Sequence, residues 1–221
     1  MRTILCYGDS NTWGFVPASE DERFGPDVRW PRLMASQLGR DFDVVEAGLN
    51  GRTTVFERLP RPFRSGRDLI VPTMATSAPL DLVIILLGTN DVSLPYLSVA
   101  DISRGAGELV SIVRKSSEYG PEPDRAPTPL LVAPHIVGPL DPDDLVLSPD
   151  AVEKSRELGA SYSALATSMG VAFLDLTPVV EPSPRDPWHW EPESHAAAAR
   201  AIAEKVQEIL QRTDQGMLGK P

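Results

Sequence analysis

Cysteine and histidine, the side chains that most often form disulfides and metal sites, are scarce in this chain. Its 221 residues include one cysteine and three histidines. One cysteine cannot form an internal disulfide, and Cys6 lies in an apolar run, so we expect it to be a small buried hydrophobe. The histidines at 135, 189 and 195 show no metal-ligand spacing. We therefore expect no disulfide, no metal ion and no other cofactor.

Positive charge and long apolar runs are also limited. Lys and Arg total 21 against 31 Asp and Glu, which gives a net charge of −10. This balance disfavours nucleic acid and anionic membranes as partners. No apolar stretch approaches the roughly 18 residues of a membrane span, and the first residues lack the regions of a secretory signal. The sequence therefore predicts a cytoplasmic protein without membrane insertion.

Short apolar runs alternate regularly with helical patterns. Apolar residues make up 42% of the chain and charged residues 24%, as in ordinary globular proteins. The length suits one α/β domain over residues 1–212, with a frayed tail over 213–221. The runs with strand character are 3–7, 43–47, 81–87, 130–134 and 171–176. Helical spacing occurs at 30–38, 101–116, 151–169 and 196–210. This alternation predicts a doubly wound, mostly parallel sheet.

A serine stands at the carboxyl end of the first predicted strand, in the segment Gly8-Asp9-Ser10-Asn11. A strand holds such a residue rigidly, the glycine leaves room for a substrate, and the following N–H groups can face an anion. Serine is a poor nucleophile until a base takes its proton, so a histidine and an orienting carboxylate are required elsewhere.

Those groups follow later in the chain, in the order that a hydrolase needs. Gly51 comes after the second strand, and Asn90 comes after the third in Gly88-Thr89-Asn90-Asp91. Asp186 precedes His189 by three residues, so a turn can let the carboxylate accept the imidazole Nδ1–H. The Nε2 atom is then free to face a serine.

These segments resemble the four signature blocks of the SGNH (GDSL) hydrolase family. The segments 9–14, 23–30 and 51–54 are similar to its arylesterase/acyltransferase branch, and 189–195 resembles the family's ending. The resemblance implies a flavodoxin-like, three-layer α/β fold with a central five-stranded parallel sheet. The branch also implies a homo-oligomer. The namesake residues are Ser10, Gly51, Asn90 and His189.

The resemblance also implies a role for each of these residues. Ser10 would attack an ester carbonyl, with His189 as general base and then general acid, and with Asp186 holding the imidazole. The oxyanion would be bound by the N–H groups of Ser10 and Gly51 and by the Asn90 amide. Water would then release the acid from the acyl-enzyme, or a bound alcohol would take the acyl group.

Two positions depart from the family pattern. Asn11 stands where the four-letter motif has leucine, which leaves the chemistry unchanged. Glu46 stands where many members carry asparagine, which puts the supporting contacts of the second block in doubt.

The substrate pocket has several candidates, each with a second interpretation. Trp13, Phe15 and Trp188 flank the nucleophile and the base, where they could form an apolar pocket or pack in the core. Asn50 could shape the acyl pocket or serve a turn. His135 follows the fourth strand and could line the pocket or be satisfied by backbone.

Other polar residues near the motifs are expected to act structurally. Asp9 and Asp91 should hydrogen-bond loop backbone and fix Ser10 and Asn90. Arg52 could form a structural ion pair or clamp the substrate, and His195 could lie on the surface or pack against a helix. A phosphoacceptor domain built on Asp9 is disfavoured because no lysine lies near the strand ends.

The sequence therefore favours a serine esterase of small short-acyl or aryl esters, with acyl transfer to alcohols as a second outcome. A carbohydrate O-deacetylase, or a lysophospholipase or thioesterase, remains open on the same scaffold. Specificity should lie in the loops 56–77 and 138–149. A long-chain lipase is disfavoured because no apolar lid is evident.

Overall fold

A computed structural model describes residues 1–58, 61–140 and 149–218, with side chains as far as residue 212. The strands of this part are β1 (Arg2–Gly8), β2 (Phe42–Gly48), β3 (Leu82–Leu86), β4 (Thr128–Ala133) and β5 (Ala172–Asp175). They form one sheet in the order β2-β1-β3-β4-β5, and every neighbouring pair is parallel. The predicted five-stranded parallel sheet is thereby confirmed.

Helices cover both faces of the sheet and complete the three layers. The helices are α1 (Ser10–Trp13), α2 (Trp30–Leu38), α3 (Gly66–Ser77), α4 (Thr89–Val92), α5 (Val99–Lys115), α6 (Ala151–Met169) and α7 (Pro192–Leu218). α2 and α7 pack on one face, and α3, α5 and α6 on the other. No helix within the described ranges is both long and apolar enough to cross a membrane.

The core lies on both sides of the central strands. Leu5 and Tyr7 of β1 face one helical layer, whereas Ile4 and Cys6 face the other. Every residue of β3 is buried, which explains why its apolar run shows no polar alternation. Cys6 is fully buried, and burial raises the pKa of its thiol well above the usual value. It therefore packs as an apolar residue, as predicted.

Some helix boundaries differ from the predicted ones. The segment 56–77 was expected to be a loop, since Pro72 interrupts its helical pattern. In the structure, α3 occupies residues 66–77 of this segment. α5 begins earlier than predicted, since Ser98 rather than Asp101 is its N-cap and the two residues form a capping box. α7 continues to Leu218, and the tail residues 219–221 lie outside the described residues.

The sheet register brings the site's loops together. Gly8 of β1 pairs with Gly48 of β2 on one side and with Leu86 of β3 on the other. The loops that follow these strands therefore leave the same sheet edge as neighbours. A Cβ atom on Gly48 would lie 2.1 Å from the backbone nitrogen of Trp13. Only glycine allows α1 to sit this close to the end of β2.

Candidate active site

Ser10, His189 and Asp186 form a continuous chain of hydrogen bonds. The Oγ atom of Ser10 lies 3.0 Å from Nε2 of His189, and Nδ1 of His189 lies 2.6 Å from Oδ2 of Asp186. A carboxylate can only accept, so Nδ1 carries the proton and Nε2 is left to accept from the serine hydroxyl. Ser10 begins α1 directly after β1, whereas the other two residues lie in the connection between β5 and α7.

Asp186 is held as a carboxylate by several donors. It accepts hydrogen bonds from the N–H groups of Trp188, at 2.8 Å, and of Ala18, at 3.4 Å. Burial raises the pKa of Asp186, but the hydrogen bond and charge of His189 outweigh it, and the pKa falls to about 2. The carboxylate therefore stays ionised across the neutral pH range and orients the imidazole.

The imidazole of His189 is also fixed by packing and by the backbone of its own loop. The ring of Phe15 stacks on it, with 4.3 Å between centroids and 25° between planes. Beside it, Nδ2 of Asn11 donates to the carbonyl of Trp188 at 3.0 Å. The nucleophile turn and the histidine loop are thus joined at more than one point.

Three donors converge on the cavity that contains Ser10. Within the described residues, the N–H groups of Ser10 and Gly51 have no acceptor, and Gly51 has a φ of +78° that favours glycine. The Nδ2 atom of Asn90 donates to the carbonyl of Arg52 at 3.0 Å, which leaves its second hydrogen available. Ser10, Gly51 and Asn90 all line this cavity.

Two buried aspartates fix the loops that carry these donors. Asp91 accepts from the N–H of Thr54 at 3.0 Å and from its hydroxyl at 2.6 Å, which ties the loop after β3 to the loop after β2. Asp9 accepts from the N–H of Asn11 at 3.0 Å. Burial raises the pKa of each aspartate to about 6. Both residues hold loop backbone, as predicted.

The cavity next to Ser10 has a volume of about 370 Å³. Of the predicted pocket residues, Asn50, Phe15 and Trp188 line it. The loops contribute charged groups that the sequence did not single out: Glu20, Asp21, Arg58 and Arg61 also line the cavity. The described residues contain no cluster of three or more His, Cys, Asp or Glu that could bind a metal ion.

Two predicted pocket residues are not part of the cavity wall. The ring of Trp13 lies beside Phe15 and beneath the guanidinium of Arg23, whose carbon is 5.1 Å from the ring centroid. His135 is fully buried and accepts a hydrogen bond from Nε1 of Trp190 at 2.9 Å. Burial lowers the pKa of His135 to about 4. His135 is therefore packed in the core, and neither His135 nor Trp13 lines this cavity.

The remaining alternatives are also decided by contacts. His195 is buried in edge-to-face contact with Phe24 and Trp190, so it packs against the helix layer rather than lying on the surface. Nη1 of Arg52 donates to the carbonyls of Ala47 and of Gly8, the latter at 2.7 Å. Arg52 thus joins the ends of β1 and β2, and among the described residues it forms no ion pair and does not line the cavity.

Glu46, the second departure from the family pattern, is held in place by three arginines. The carboxylate of Glu46 binds Arg29 at 2.8 Å, Arg23 at 3.0 Å and Arg32 at 3.2 Å. This cluster joins β2 to α2 and to the segment that precedes it. Glu46 therefore supports the second block through three cations.

The two predicted specificity loops are described only in part. In 56–77, the residues 59 and 60 lie outside the described part, and Arg58 and Arg61 reach the cavity. In 138–149, the residues 141–148 lie outside it. The N–H of Gly138 donates to the carbonyl of Pro187 at 2.9 Å, next to the histidine loop.

Comparison with known proteins agrees with this geometry. The profile of the GDSL-like lipase/acylhydrolase family matches residues 6–209. The chain belongs to this family. It is therefore an SGNH-type serine ester hydrolase.

Solved structures similar to this SGNH hydrolase include esterases of two kinds. The aryl esterase of M. smegmatis is 38% identical, with 94% of this chain and 99% of that chain covered and a TM-score of 0.89. A carbohydrate acetylesterase from Sinorhizobium meliloti is 34% identical, with 95% and 100% covered and a TM-score of 0.89. A carbohydrate acetylesterase family member from the same organism is 31% identical, with 96% and 100% covered and a TM-score of 0.88. No curated protein matches the chain.

Proposed function

We propose that this SGNH hydrolase cleaves small carboxylic esters through an acyl-enzyme on Ser10. The observation that carries the proposal is the hydrogen-bonded chain from Ser10 through His189 to Asp186 at the wall of a cavity. A hydroxyl, a base and an orienting carboxylate in this order form the arrangement that activates serine in acyl transfer.

In the first half of the reaction, His189 takes the hydroxyl proton as Ser10 Oγ bonds to the ester carbonyl carbon. The resulting oxyanion accepts hydrogen bonds from the N–H groups of Ser10 and Gly51 and from Asn90 Nδ2. The intermediate then collapses, the bond to the alcohol oxygen breaks, and His189 returns the proton to the leaving alcohol.

In the second half of the reaction, water or a second alcohol takes the place of the leaving alcohol and accepts the acyl group. Water gives one proton to His189 as its oxygen bonds to the carbonyl carbon. The bond to Ser10 Oγ then breaks, His189 returns the proton to Oγ, and the acid is released. A second alcohol in place of water gives a new ester, which is the acyl-transfer outcome. Neither path needs a group that the chain lacks.

The size and lining of the cavity support the proposed substrate class. About 370 Å³ accommodates a short acyl group together with a small alcohol or aryl group. Phe15 and Trp188 supply apolar surface next to the reacting atoms, which suits acetyl, propionyl or aryl groups. The 38% identity to an aryl esterase agrees with this choice.

Deacetylation of carbohydrates is a second candidate, because part of the cavity wall is hydrophilic. Ser19, Glu20, Asp21 and Asn50 line it and could hydrogen-bond to sugar hydroxyls. Two of the similar structures are of carbohydrate acetylesterases. A long alkyl chain of a lysophospholipid or an acyl thioester would instead desolvate these polar groups at a cost in free energy.

The decisive experiment combines a nucleophile variant with a substrate panel. We expect Ser10→Ala to lower ester turnover by about 10⁶-fold while the fold is retained. A sulfonyl fluoride should add once, on Ser10, as mass spectrometry would show. An adduct on another serine, or substantial turnover by Ser10→Ala, would rule out this mechanism.

The panel should contain aryl acetate, aryl butyrate, an acetylated sugar and a lysophospholipid at matched concentrations. Product analysis with an added alcohol separates hydrolysis from acyl transfer. We expect the highest kcat/KM for an acetyl ester. A preference for the lysophospholipid would contradict the proposed substrate class but not the role of Ser10.

A further inference from the structure

The loop after β2 places a cationic side chain directly behind Asn90. Nη1 of Arg58 donates to Oδ1 of the Asn90 amide at 2.9 Å. Arg58 also lines the cavity that contains Ser10, and its side chain is partly buried there. The guanidinium thus contacts the oxygen end of the amide, whereas the nitrogen end is the one proposed to bind the oxyanion.

The two ends of the Asn90 amide have complementary partners. Oδ1 accepts from the Arg58 guanidinium, and Nδ2 donates to the carbonyl of Arg52 at 3.0 Å. Turning the amide over would set its NH₂ group against the guanidinium and its oxygen against the carbonyl. Both contacts would then be repulsive, so only one orientation is stable. In that orientation, one Nδ2 hydrogen remains for an oxyanion.

Placing the Arg58 guanidinium in the cavity wall costs free energy, because the cation is partly desolvated there. Burial lowers the pKa of Arg58, and the charge of Arg61 lowers it further, against the opposing charge of Asp91. Within the described ranges, no carboxylate lies within ion-pair distance of Arg58. Its identified hydrogen bond is the one to Asn90. A partly desolvated cation that is not balanced by an ion pair indicates a functional rather than a stabilising placement.

We propose that Arg58 is a positioning residue of the oxyanion site. It fixes the orientation of the Asn90 amide, and by drawing electron density toward Oδ1 it makes the Nδ2–H a stronger donor. This inference rests on the proposed function, since it requires that Asn90 bind the oxyanion. Its effect must therefore appear in the chemical step and must depend on Asn90.

The test is a double-mutant cycle on Arg58 and Asn90 with a short-acyl aryl ester. Asn90→Ala should lower kcat about 10²–10³-fold, the usual loss for an oxyanion donor. Arg58→Ala should lower kcat about 10- to 100-fold, as expected for loss of a charge-assisted hydrogen bond, with KM changed less than about threefold. In the Asn90→Ala background, Arg58→Ala should cost less than about twofold, because its target is gone.

Two further variants separate positioning from charge and from folding. Arg61→Ala removes an equal charge from an exposed position on the same cavity, without a hydrogen bond to Asn90, and should lower kcat several-fold less than Arg58→Ala. Arg58→Lys keeps the charge but not the planar donor, and should restore only part of kcat. Thermal unfolding of each variant should stay close to that of the parent, since Arg58 lies in a loop.

The outcomes distinguish this inference from the function on which it rests. If Asn90→Ala leaves kcat unchanged, the proposed oxyanion site fails, and this inference fails with it. If Asn90→Ala is damaging but the two losses multiply, or Arg61→Ala matches Arg58→Ala, only the positioning role of Arg58 is overturned. A loss confined to KM would instead make Arg58 a substrate-binding residue and would also overturn the inference.

Discussion

The side chain of Asn11 is hydrogen-bonded to the backbone of Trp188, with 3.0 Å between Nδ2 and the carbonyl oxygen. The residue after Ser10 thus holds the residue before His189. Leucine, which the four-letter family motif has at this position, cannot donate this hydrogen bond. The departure from the motif therefore has a structural role that its chemistry alone did not indicate.

Removing this contact should loosen the nucleophile turn from the histidine loop. We expect Asn11→Leu to lower the free energy of unfolding by about 1 kcal/mol, the usual value of such a hydrogen bond. It should also lower kcat about 3- to 10-fold, because small shifts of Ser10 against His189 are costly. Denaturant unfolding and steady-state kinetics measure both. Asn11→Asp has nearly the same shape but no amide donor, and unchanged kcat in both variants would contradict this role.

Asp186 sets the tautomer of His189, so its carboxylate should matter more than its size. Asp186→Asn can donate to Nδ1, which leaves Nε2 protonated and unable to accept from Ser10. We expect kcat to fall by on the order of 10³–10⁴-fold, by analogy with the same change in serine proteases. Asp27→Asn, at an exposed position, is the control. A loss below about tenfold for Asp186→Asn would argue against the triad.

His195 should make stability depend on pH in the acidic range. Burial, with the charge of Arg29 as a second cause, lowers its pKa to about 3. A histidine with a depressed folded-state pKa contributes stability that is fully present above about pH 6.5 and is lost as the pH falls toward its folded value. Between pH 6.5 and pH 4.5 the unfolded chain takes up this proton while the folded protein does not, so the free energy of unfolding should fall by roughly 2–3 kcal/mol.

His195→Phe should remove this dependence, because phenylalanine does not titrate and the site between Phe24 and Trp190 is aromatic. Asp9 and Asp91, whose pKa values are raised, change stability in the opposite direction between pH 4 and 6. The measurement is therefore the difference between variant and parent, from denaturant unfolding at pH 7 and pH 4.5. A difference that is the same at both pH values would show that His195 does not titrate with unfolding.

Glu46 should stabilise the fold through its three arginines. Its carboxylate and the Arg29 guanidinium are mostly buried, so neutralising one leaves the other poorly paired. We expect Glu46→Gln to cost about 1–3 kcal/mol of unfolding free energy. Glu108→Gln, in a half-exposed pair with Arg67 at 3.4 Å, is the matched control and should cost less than about 0.5 kcal/mol. Equal losses would contradict a special role for the Glu46 cluster.

The sheet could be predicted from the sequence because each strand is indicated by its own short apolar segment. The unbroken apolar run of β3 is what burial on both faces requires, and the carboxyl ends of parallel strands necessarily share one edge. The spacing of Asp186 and His189 likewise specifies a turn that joins them. α3 escaped prediction because Pro72 breaks the pattern on which helix recognition depends, while tertiary packing of Ile70 and Met74 holds the helix.

The cavity wall could be predicted only in part, because position in the chain does not tell where a side chain points. His135 follows β4 at the correct edge, yet its ring packs in the core against Trp190. Arg58 reaches the cavity from a loop whose residue pattern has no period. Such contacts depend on how loops fold over the sheet edge, and no short segment encodes that.

The hydrogen bond between Ser10 and His189 joins residues that are 179 positions apart in the chain. During synthesis, the ribosome therefore exposes Ser10 long before it has made His189. A growing chain carries the serine hydroxyl in its unactivated form until the loop after β5 has emerged and docked. The proposed catalytic pair can therefore form only after residue 189 has been synthesised and its loop has packed against Ser10.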